Sequence, residues 1–372
     1  MKIKVQKKDL GILLTRAQNI VEKRNNMPVL INILMETKNN ELKIFATDLE
    51  VSLIDKTKVI TEKEGQVVVN AKSLFDLIKE LDDGEIQLEK QSNSWLKIKQ
   101  GKSVFNIVGI KIEEYPIFPK YTTKQFTKVE SGSFLEMIDK TLYGVSTDET
   151  RHHLNGVYFE NNLSKQNKVF RMVATDGHRL CMVDRDPDIK NEEPKSGVII
   201  PKKGLNEIRK LLETIDGEFE IAIEGAQLIV KHEPTTLMIR LIDGVYPDYT
   251  QLIPQNLNEN IKIEKEKLMS ILKRVSLLSN QKSKGVTLNI NKGKLEITSY
   301  NPELGDAQEE IPVNYSGDPI KIGFNAKYIL DVLSSIKEEK EIVLSVKDNV
   351  SPGIIQPEGD KRYKCVIMPM RM

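Results

Sequence analysis

The chain has 372 residues, of which 29% are charged and 39% hydrophobic, the balance of a globular protein of two or three domains. A formal net charge of +1 excludes a globally basic nucleic-acid binder, so any such role must come from how charge is distributed. No run of about 18 apolar residues offers a membrane-crossing helix and the start, MKIKVQKKDL, lacks the apolar core of a signal peptide, so the chain reads as cytoplasmic with no membrane partner.

A short alternating strand and an amphipathic helix open the chain, MKIKVQKKDLGILLTRAQNIV. The strand LKIFAT then leads into a landmark, FATDLEVSL (45–53). The β-rich run GQVVV precedes a second helical segment, NAKSLFDLIKEL (70–81), and the alternating strands IQLEK and WLKIK follow. Beyond the Pro-rich turn YPIFPKYTT (115–123) the order begins again with FTKVESGSFLEMIDKTLYGV. The landmark returns as VATDGHRLC (173–181), then SGVII precedes PKKGLNEIRKLL (201–212), and FEIAIEG closes the series. After a similar turn, YPDYTQLIP (246–254), the third round opens on IKIEKEKLMSILKRVSLL, where Leu268, Ile271, Leu272, Val275 and Leu278 fall at helical spacing. ITSYNPELG (297–305) stands at the landmark's place, and PIKIGF precedes NAKYILDVLSSI (325–336), which repeats the Asn, Ala, Lys and Asp of 70–81 at the same offsets.

Three repeats of about 124 residues predict three similar α+β domains, at 1–121, 122–249 and 250–372. The alternating strands give each sheet one buried face, and the two helices of each repeat must cover it.

Catalytic signals are weak. Asp176 and His178 share one side of an extended segment, but no nucleophile motif accompanies them and Asp-Gly is an ordinary turn signal. The adjacent His152 and His153 lack metal-ligand spacing, and His232 stands alone. Cys181 and Cys365 are far apart in sequence, follow no metal pattern and read as inert buried thiols. Neither a phosphate-binding loop nor a dinucleotide fingerprint occurs. The expectation is therefore no catalytic residue, no metal and no cofactor. A hydrolase using Asp176 and His178 stays open as a rival reading.

Charge is more informative. The helical segments 7–24, 72–81, 131–144, 202–214, 265–284 and 327–340 together carry a formal +9, which leaves −8 for the rest of a +1 chain. Solvated helices rich in lysine account for part of this. The other reading is a helical surface that faces phosphate, with Arg16, Lys23, Arg24, Lys72, Lys202, Lys203, Arg209, Lys210, Lys273, Arg274, Lys282 and Lys284 as candidate partners. Few aromatics interleave with them, which argues for sequence-blind contact with a duplex backbone. A scaffold or conventional DNA-binding protein of the same repeats fits this pattern too.

The three repeats, LNGVYFE at 154–160, ATDGHRL at 174–180, YPDY at 246–249 and the terminal VIMPMRM resemble the bacterial β sliding clamp of DNA polymerase III, in order and over the whole chain. The resemblance implies a DNA clamp fold: three topologically similar domains per chain, and two chains forming a closed homodimeric ring with helices lining the hole and sheets outside. It implies a non-catalytic processivity factor around double-stranded DNA. Its partners would be the replicative polymerase's catalytic subunit, the clamp loader, and repair and translesion polymerases. They would insert a peptide in a groove between the second and third domains, at Leu154, Thr175, Gly177, His178, Arg179, Leu180, Pro247, Leu252, Val350, Met368, Pro369, Met370 and Arg371. Leu154, Leu180, Pro247, Leu252 and Val350 are expected on its floor, with Arg179 and Arg371 at the rim. In the tail, Val366 and Met368 are expected on one side of a strand and Ile367 on the other, with Pro369 ending the pairing. Gln251 and Met372 stand where the family commonly has Arg and Leu, which bears on peptide preference. Phe105 and Ile107 on one side, and Leu277 and Leu278 on the other, would form the ring seam.

Overall fold

The structure, a computed structural model, describes residues 1–21, 27–164, 167–186, 197–254, 257 and 259–371. One order of elements recurs three times. The first round is β1 (Lys2–Gln6), α1 (Lys7–Ile20), β2 (Asn32–Lys38), β3 (Glu41–Thr47), β4 (Val51–Lys58), β5 (Ile60–Lys63), β6 (Gly65–Asn70), α2 (Ala71–Glu80), β7 (Glu85–Lys90), β8 (Leu96–Gln100), β9 (Ser103–Ile107) and the two-residue β10 (Gly109–Ile110). The second is β11 (Thr127–Glu130), α3 (Ser131–Thr141), β12 (Gly156–Ser164), β13 (Asn167–Thr175), β14 (Arg179–Arg185), β15 (Val198–Pro201), α4 (Lys202–Leu212), β16 (Glu218–Glu224), β17 (Gln227–His232) and β18 (Thr235–Arg240). The third is β19 (Glu259–Glu264), α5 (Lys265–Val275), β20 (Gly285–Asn291), β21 (Lys294–Asn301), β22 (Gly305–Pro312), β23 (Ile320–Asn325), α6 (Ala326–Ser335), β24 (Glu341–Val346), β25 (Gly353–Pro357) and β26 (Tyr363–Ile367).

The recurring Asn-Ala-Lys has a physical reason. Asn70 and Asn325 are N-caps, whose side chains accept from the N–H of Ser73 and Lys327 at 2.8 and 2.9 Å. On α1 the buried face is Leu10, Leu13, Leu14, Ala17 and Ile20, at helical spacing, and each large side chain there contributes roughly 2 kcal/mol by burial. Two helices end sooner than the sequence pattern suggests. α1 stops at Ile20, and α5 stops at Val275, where a 3-10 turn over Ser276–Leu278 takes over and Asn280 accepts the N–H of Lys282. No helix among the described residues is long and apolar enough to cross a membrane.

By packing, the chain divides into two compact units, each of which draws on more than one repeat. The first, Met1–Ser131 with Lys203–Leu241, holds a five-stranded sheet, β5-β1-β7-β8-β9, and a nine-stranded sheet, β10-β6-β2-β3-β4-β18-β17-β16-β11. The second, Gly132–Pro187 with Lys195–Lys202 and Ile242–Met372, holds an eight-stranded sheet, β15-β12-β13-β14-β26-β25-β24-β19, and a four-stranded sheet, β22-β21-β20-β23. Both large sheets join strands of two successive repeats. β4 pairs antiparallel with β18, with Val51 opposite Ile239 and Leu53 opposite Leu237. β14 pairs antiparallel with β26, with Arg179 opposite Ile367 and Cys181 opposite Cys365. The two cysteines, distant in sequence, are thus neighbours in space, and both are buried.

The connectors repeat as well. Tyr115 donates its hydroxyl to the Phe45 carbonyl at 3.0 Å, and Tyr246 donates to the Val173 carbonyl at 3.4 Å. Phe45 and Val173 each lie two residues before the end of their strand, just ahead of the landmark turn.

Candidate functional site

The landmark turn is built from its Thr-Asp pair. Thr175 Oγ1 accepts the Gly177 N–H at 3.1 Å, and Asp176 Oδ1 accepts the N–H of His178 and Arg179 at 2.9 and 3.0 Å. Thr47 and Asp48 make the same three bonds to Leu49, Glu50 and Val51. The turn needs a left-handed residue third, which is Gly177 at φ +89° in one copy and Leu49 at φ +77° in the other. A Cβ at Gly177 would also meet Arg151 Nη1 at 2.8 Å.

Arg179 does not stand at a rim. Its side chain is 7% exposed, and its guanidinium donates to Asp176 Oδ2 (3.0 Å), Asp331 Oδ2 (2.7 Å) and the Tyr143 carbonyl (2.6 Å), with the Tyr328 ring 4.5 Å away. Three acceptors draw it inward, as a buried charge requires. The Asp176 carboxylate is committed to this turn and this arginine, so it is not poised as a base toward His178, which is exposed and stacks on Tyr328 at 6.4 Å.

Leu154 and Leu180 join Val173, Met182, Ile199, Tyr246, Tyr249, Ile354 and Val366 in one apolar cluster, with Leu252, Tyr158, Ile242, Ile253 and Leu257 packed against it. Tyr158 stacks on Tyr246 with ring centroids 4.9 Å apart. Tyr249 donates to Glu160 and accepts from Arg171 at 3.3 Å; burial, then the Glu160 carboxylate, push its phenol up to about 12. These tyrosines were absent from the expected site, although LNGVYFE and YPDY both carry them.

Two floor residues lie elsewhere. Pro247 is exposed beside buried Tyr246. Val350 is 73% exposed on a turn whose Asp348 carboxylate accepts the Val350 and Ser351 N–H groups, so it cannot reach inward. It lines a separate recess of about 560 Å³ with Pro369, Met370, Arg371, Thr287, Lys321, Gly323 and Asn349. The tail spans both features. Met368 donates its N–H to the His178 carbonyl at 2.9 Å, next to the landmark turn, and Met370 donates to Gly323 at 2.8 Å, beside the recess. Pro369 does not end pairing outright: the chain leaves β26 and forms a bridge to β23 at Met370. Both Val366 and Ile367 are buried, so neither side of the strand faces water. Met372 lies outside the described residues.

The basic helix residues are more neutralised than their count suggests. Arg16 donates to buried Asp55 and to Thr235 at 3.1 and 2.8 Å, and Lys203 pairs with buried Asp48. Lys72 pairs with Asp76, Lys210 with Glu207 at 2.7 Å, Arg209 with Glu213 at 3.1 Å, and Arg274 with Glu309 at 2.7 Å. The pairs whose acids are exposed hold weakly and can exchange for phosphate, whereas buried Asp55, Asp48 and Glu207 fix Arg16, Lys203 and Lys210 in place. Lys273 and Lys282 are exposed, and Lys202 and Lys284 are half-buried. Lys23 and Arg24 lie outside the described residues. Of the four seam residues, Phe105 and Ile107 are half-buried on β9, Leu277 is 74% exposed and Leu278 half-buried.

Comparison with known proteins covers the chain end to end. The N-terminal, central and C-terminal domain families of the DNA polymerase III beta subunit match residues 1–119, 128–248 and 250–371. Beta sliding clamps of Caulobacter vibrioides and Haemophilus influenzae are 31% and 32% identical, each over 100% of both chains. Among solved structures, the C. crescentus beta sliding clamp, with polyethylene glycol in the region assigned to beta-motif tethering, aligns over 100% of both chains at 31% identity and a TM-score of 0.94. The Bartonella birtlesii sliding clamp bound to griselimycin aligns equally well, with a TM-score of 0.94 at 31% identity over 100% of both chains.

Proposed function

The chain belongs to the DNA polymerase III beta subunit family, and we propose from that membership that it is a DNA sliding clamp, a non-catalytic ring that encircles duplex DNA and tethers the replicative polymerase. The ring is two chains of three domains each, 1–121, 122–249 and 250–372, with helices toward the DNA.

One observation carries the reading. At each joint between repeats, the strand after the landmark turn takes as its neighbour the second strand of the next repeat's last hairpin: β4 takes β18 of β17–β18, and β14 takes β26 of β25–β26. By the same rule β9 should be taken by another repeat, and β22 should take one, yet both are outer strands of their sheets. The hairpin of β8 and β9 pairs Gln100 with Ser103, as that of β17 and β18 pairs His232 with Thr235, so Phe105 and Ile107 hold the places of Leu237 and Ile239. Under β4, Leu237 and Ile239 are 3% and 0% exposed; Phe105 and Ile107 stay half-exposed, and Val104 is 47% exposed. A second copy's β22 supplies the missing neighbour. Asp306, Glu309 and Glu310 on β22 complement Lys97, Lys99 and Lys102 beside β9, and Leu277 and Leu278 adjoin β22.

A closed ring cannot leave duplex DNA sideways, so contact with phosphate can stay weak enough for sliding. Lys72, Lys202, Arg209, Lys273, Lys282 and Lys284 are the proposed phosphate partners, with Arg24 among them by its sequence position. Leu154, Leu180, Leu252, His178 and Met368 to Arg371 form the proposed groove, used in turn by polymerases, the loader and repair factors in the cytoplasm. Retention on DNA tests the ring. Loaded on nicked circles, the protein should stay bound through gel filtration in moderate salt, and cutting the circle should release it. Release unaffected by cutting refutes encirclement.

A further inference from the structure

Cys181 and Cys365 face each other across the joint between the second and third repeats. Met368 donates to the His178 carbonyl and Asp184 to the Arg362 carbonyl, which marks those pairs as hydrogen-bonded. Alternation along the ladder makes Cys181–Cys365 a non-hydrogen-bonded pair, whose Cα atoms stand about 4.5 Å apart. A disulfide accepts Cα separations of about 4.4–6.8 Å, so the two sulfurs can bond without moving the backbone.

The surroundings are polar. Cys365 Sγ lies 2.9 Å from the Tyr143 hydroxyl and 3.2 Å from that of Tyr363, and the Tyr363 hydroxyl lies 2.7 Å from Ser335 Oγ. Burial pushes both thiols up. For Cys365, hydrogen bonds with Cys181, Tyr143 and Tyr363, and the charge of Arg179, outweigh burial and bring it below the ordinary thiol value; Cys181 stays well above it. Cys365 is thus the sulfur with two hydroxyl partners, which can hold a thiolate there.

The fold does not demand cysteines here. The equivalent pair at the other joint is Leu53 and Leu237, two hydrocarbons in the same register.

We propose that Cys181 and Cys365 are a dithiol modification site, which a hydroperoxide converts to a disulfide tying β14 to β26 behind the apolar cluster. The Cys365 thiolate attacks one peroxide oxygen, the O–O bond breaks, and the departing hydroxide takes up the proton that the thiol released. The Cys181 sulfur then attacks the resulting sulfenic sulfur, the S–O bond breaks, and a second water leaves with the Cys181 proton. Two thiols lose two electrons and two protons, and one hydroperoxide is reduced. Leu180 and Val366, next to the cysteines on the opposite face, belong to the apolar cluster, so the bond stiffens that cluster from behind.

The test treats the full-length native protein with a few equivalents of hydrogen peroxide, alkylates it, digests it without reduction and maps the peptides. Met27, 45% exposed, reports by its sulfoxide that the oxidant acted. The expected result is a linked pair of peptides carrying Cys181 and Cys365 in a chain of monomer size on a non-reducing gel, with an upward shift in Tm of a few degrees that dithiothreitol reverses. The double variant Cys181→Leu, Cys365→Leu, which copies the other joint, should show no linked pair and no reversible shift. Oxidised Met27 beside two alkylated free cysteines, two separately oxidised cysteines, or a covalent link between chains overturns the proposal.

Discussion

Arg179 Nη1 donates to Asp331 Oδ2 at 2.7 Å and so ties the landmark turn to α6 across 152 residues of chain. Removing the guanidinium leaves the largely buried Asp176 without its cation and Asp331 with Lys327 alone. Arg179→Ala should therefore lower unfolding free energy by on the order of 3 kcal/mol, measured by denaturant titration. Arg179→Lys should recover less than half, because an ammonium cannot reach the two acids and the Tyr143 carbonyl together. A neutral effect of the alanine variant would contradict this account.

The seam should be separable from the fold. Leu277 is 74% exposed in the single chain, so Leu277→Asp costs little folding stability but would bury a carboxylate in the ring. Light scattering should give twice 42.4 kDa for the parent and 42.4 kDa for the variant, with unchanged circular dichroism. A parent that is strictly monomeric at micromolar concentration would remove the ring.

The tail should control peptide capture. Deleting 368–372 removes the Met368 bond to His178, the Met370 bridge to Gly323 and one wall of the recess. Fluorescence anisotropy with a labelled peptide from the cognate polymerase should show roughly micromolar affinity in the parent, since a disordered segment must be ordered on binding. The truncated protein should show none and remain dimeric. Unaltered binding would move the groove elsewhere.

Acid should loosen the second unit at a definite place. Burial works to raise the Glu136 carboxyl, but Arg185 at 2.6 and 2.8 Å and Lys140 at 2.6 Å outweigh it and hold it at about 2. The same two cations depress Asp360 against its burial. A depressed carboxylate contributes its full stability above its unfolded value, near 4.3 for Glu, and loses it as pH falls through the folded value. Tm should therefore fall between about pH 4 and 2. Glu136→Gln should flatten that fall while lowering Tm at pH 7; an equal slope in both proteins would show that the cluster contributes nothing.

Three rounds of strand and helix were legible because periodicity and the Asn caps are local signals. Alternation shows which face of a strand is buried, but not which strand lies beside it. Nothing local in FATDLEVSL or TTLMIR announces that β4 takes β18, so the sheets that run past the repeat boundaries were invisible in the sequence. Arg179 was placed at the rim with the groove the resemblance implies, while the acid that draws it inward, Asp331, lies far along the chain. Val350 was placed on the floor by the family resemblance, and the Asp348 turn turns it outward. The acids that hold Arg16 and Lys203 sit on other elements, which is why a count of helix charge overstated the free cations.

The tyrosine bonds from the connectors have a mechanical consequence. With Tyr115 fastened to Phe45 and Tyr246 to Val173, each connector is a splice and not a slack leash. To bend there, the protein must break that bond and peel a strand ladder, which resists both torsion and stretch. The joint between copies has no connecting peptide. In the proposed ring, load therefore gathers at that joint, and an opener has to do work at one place only.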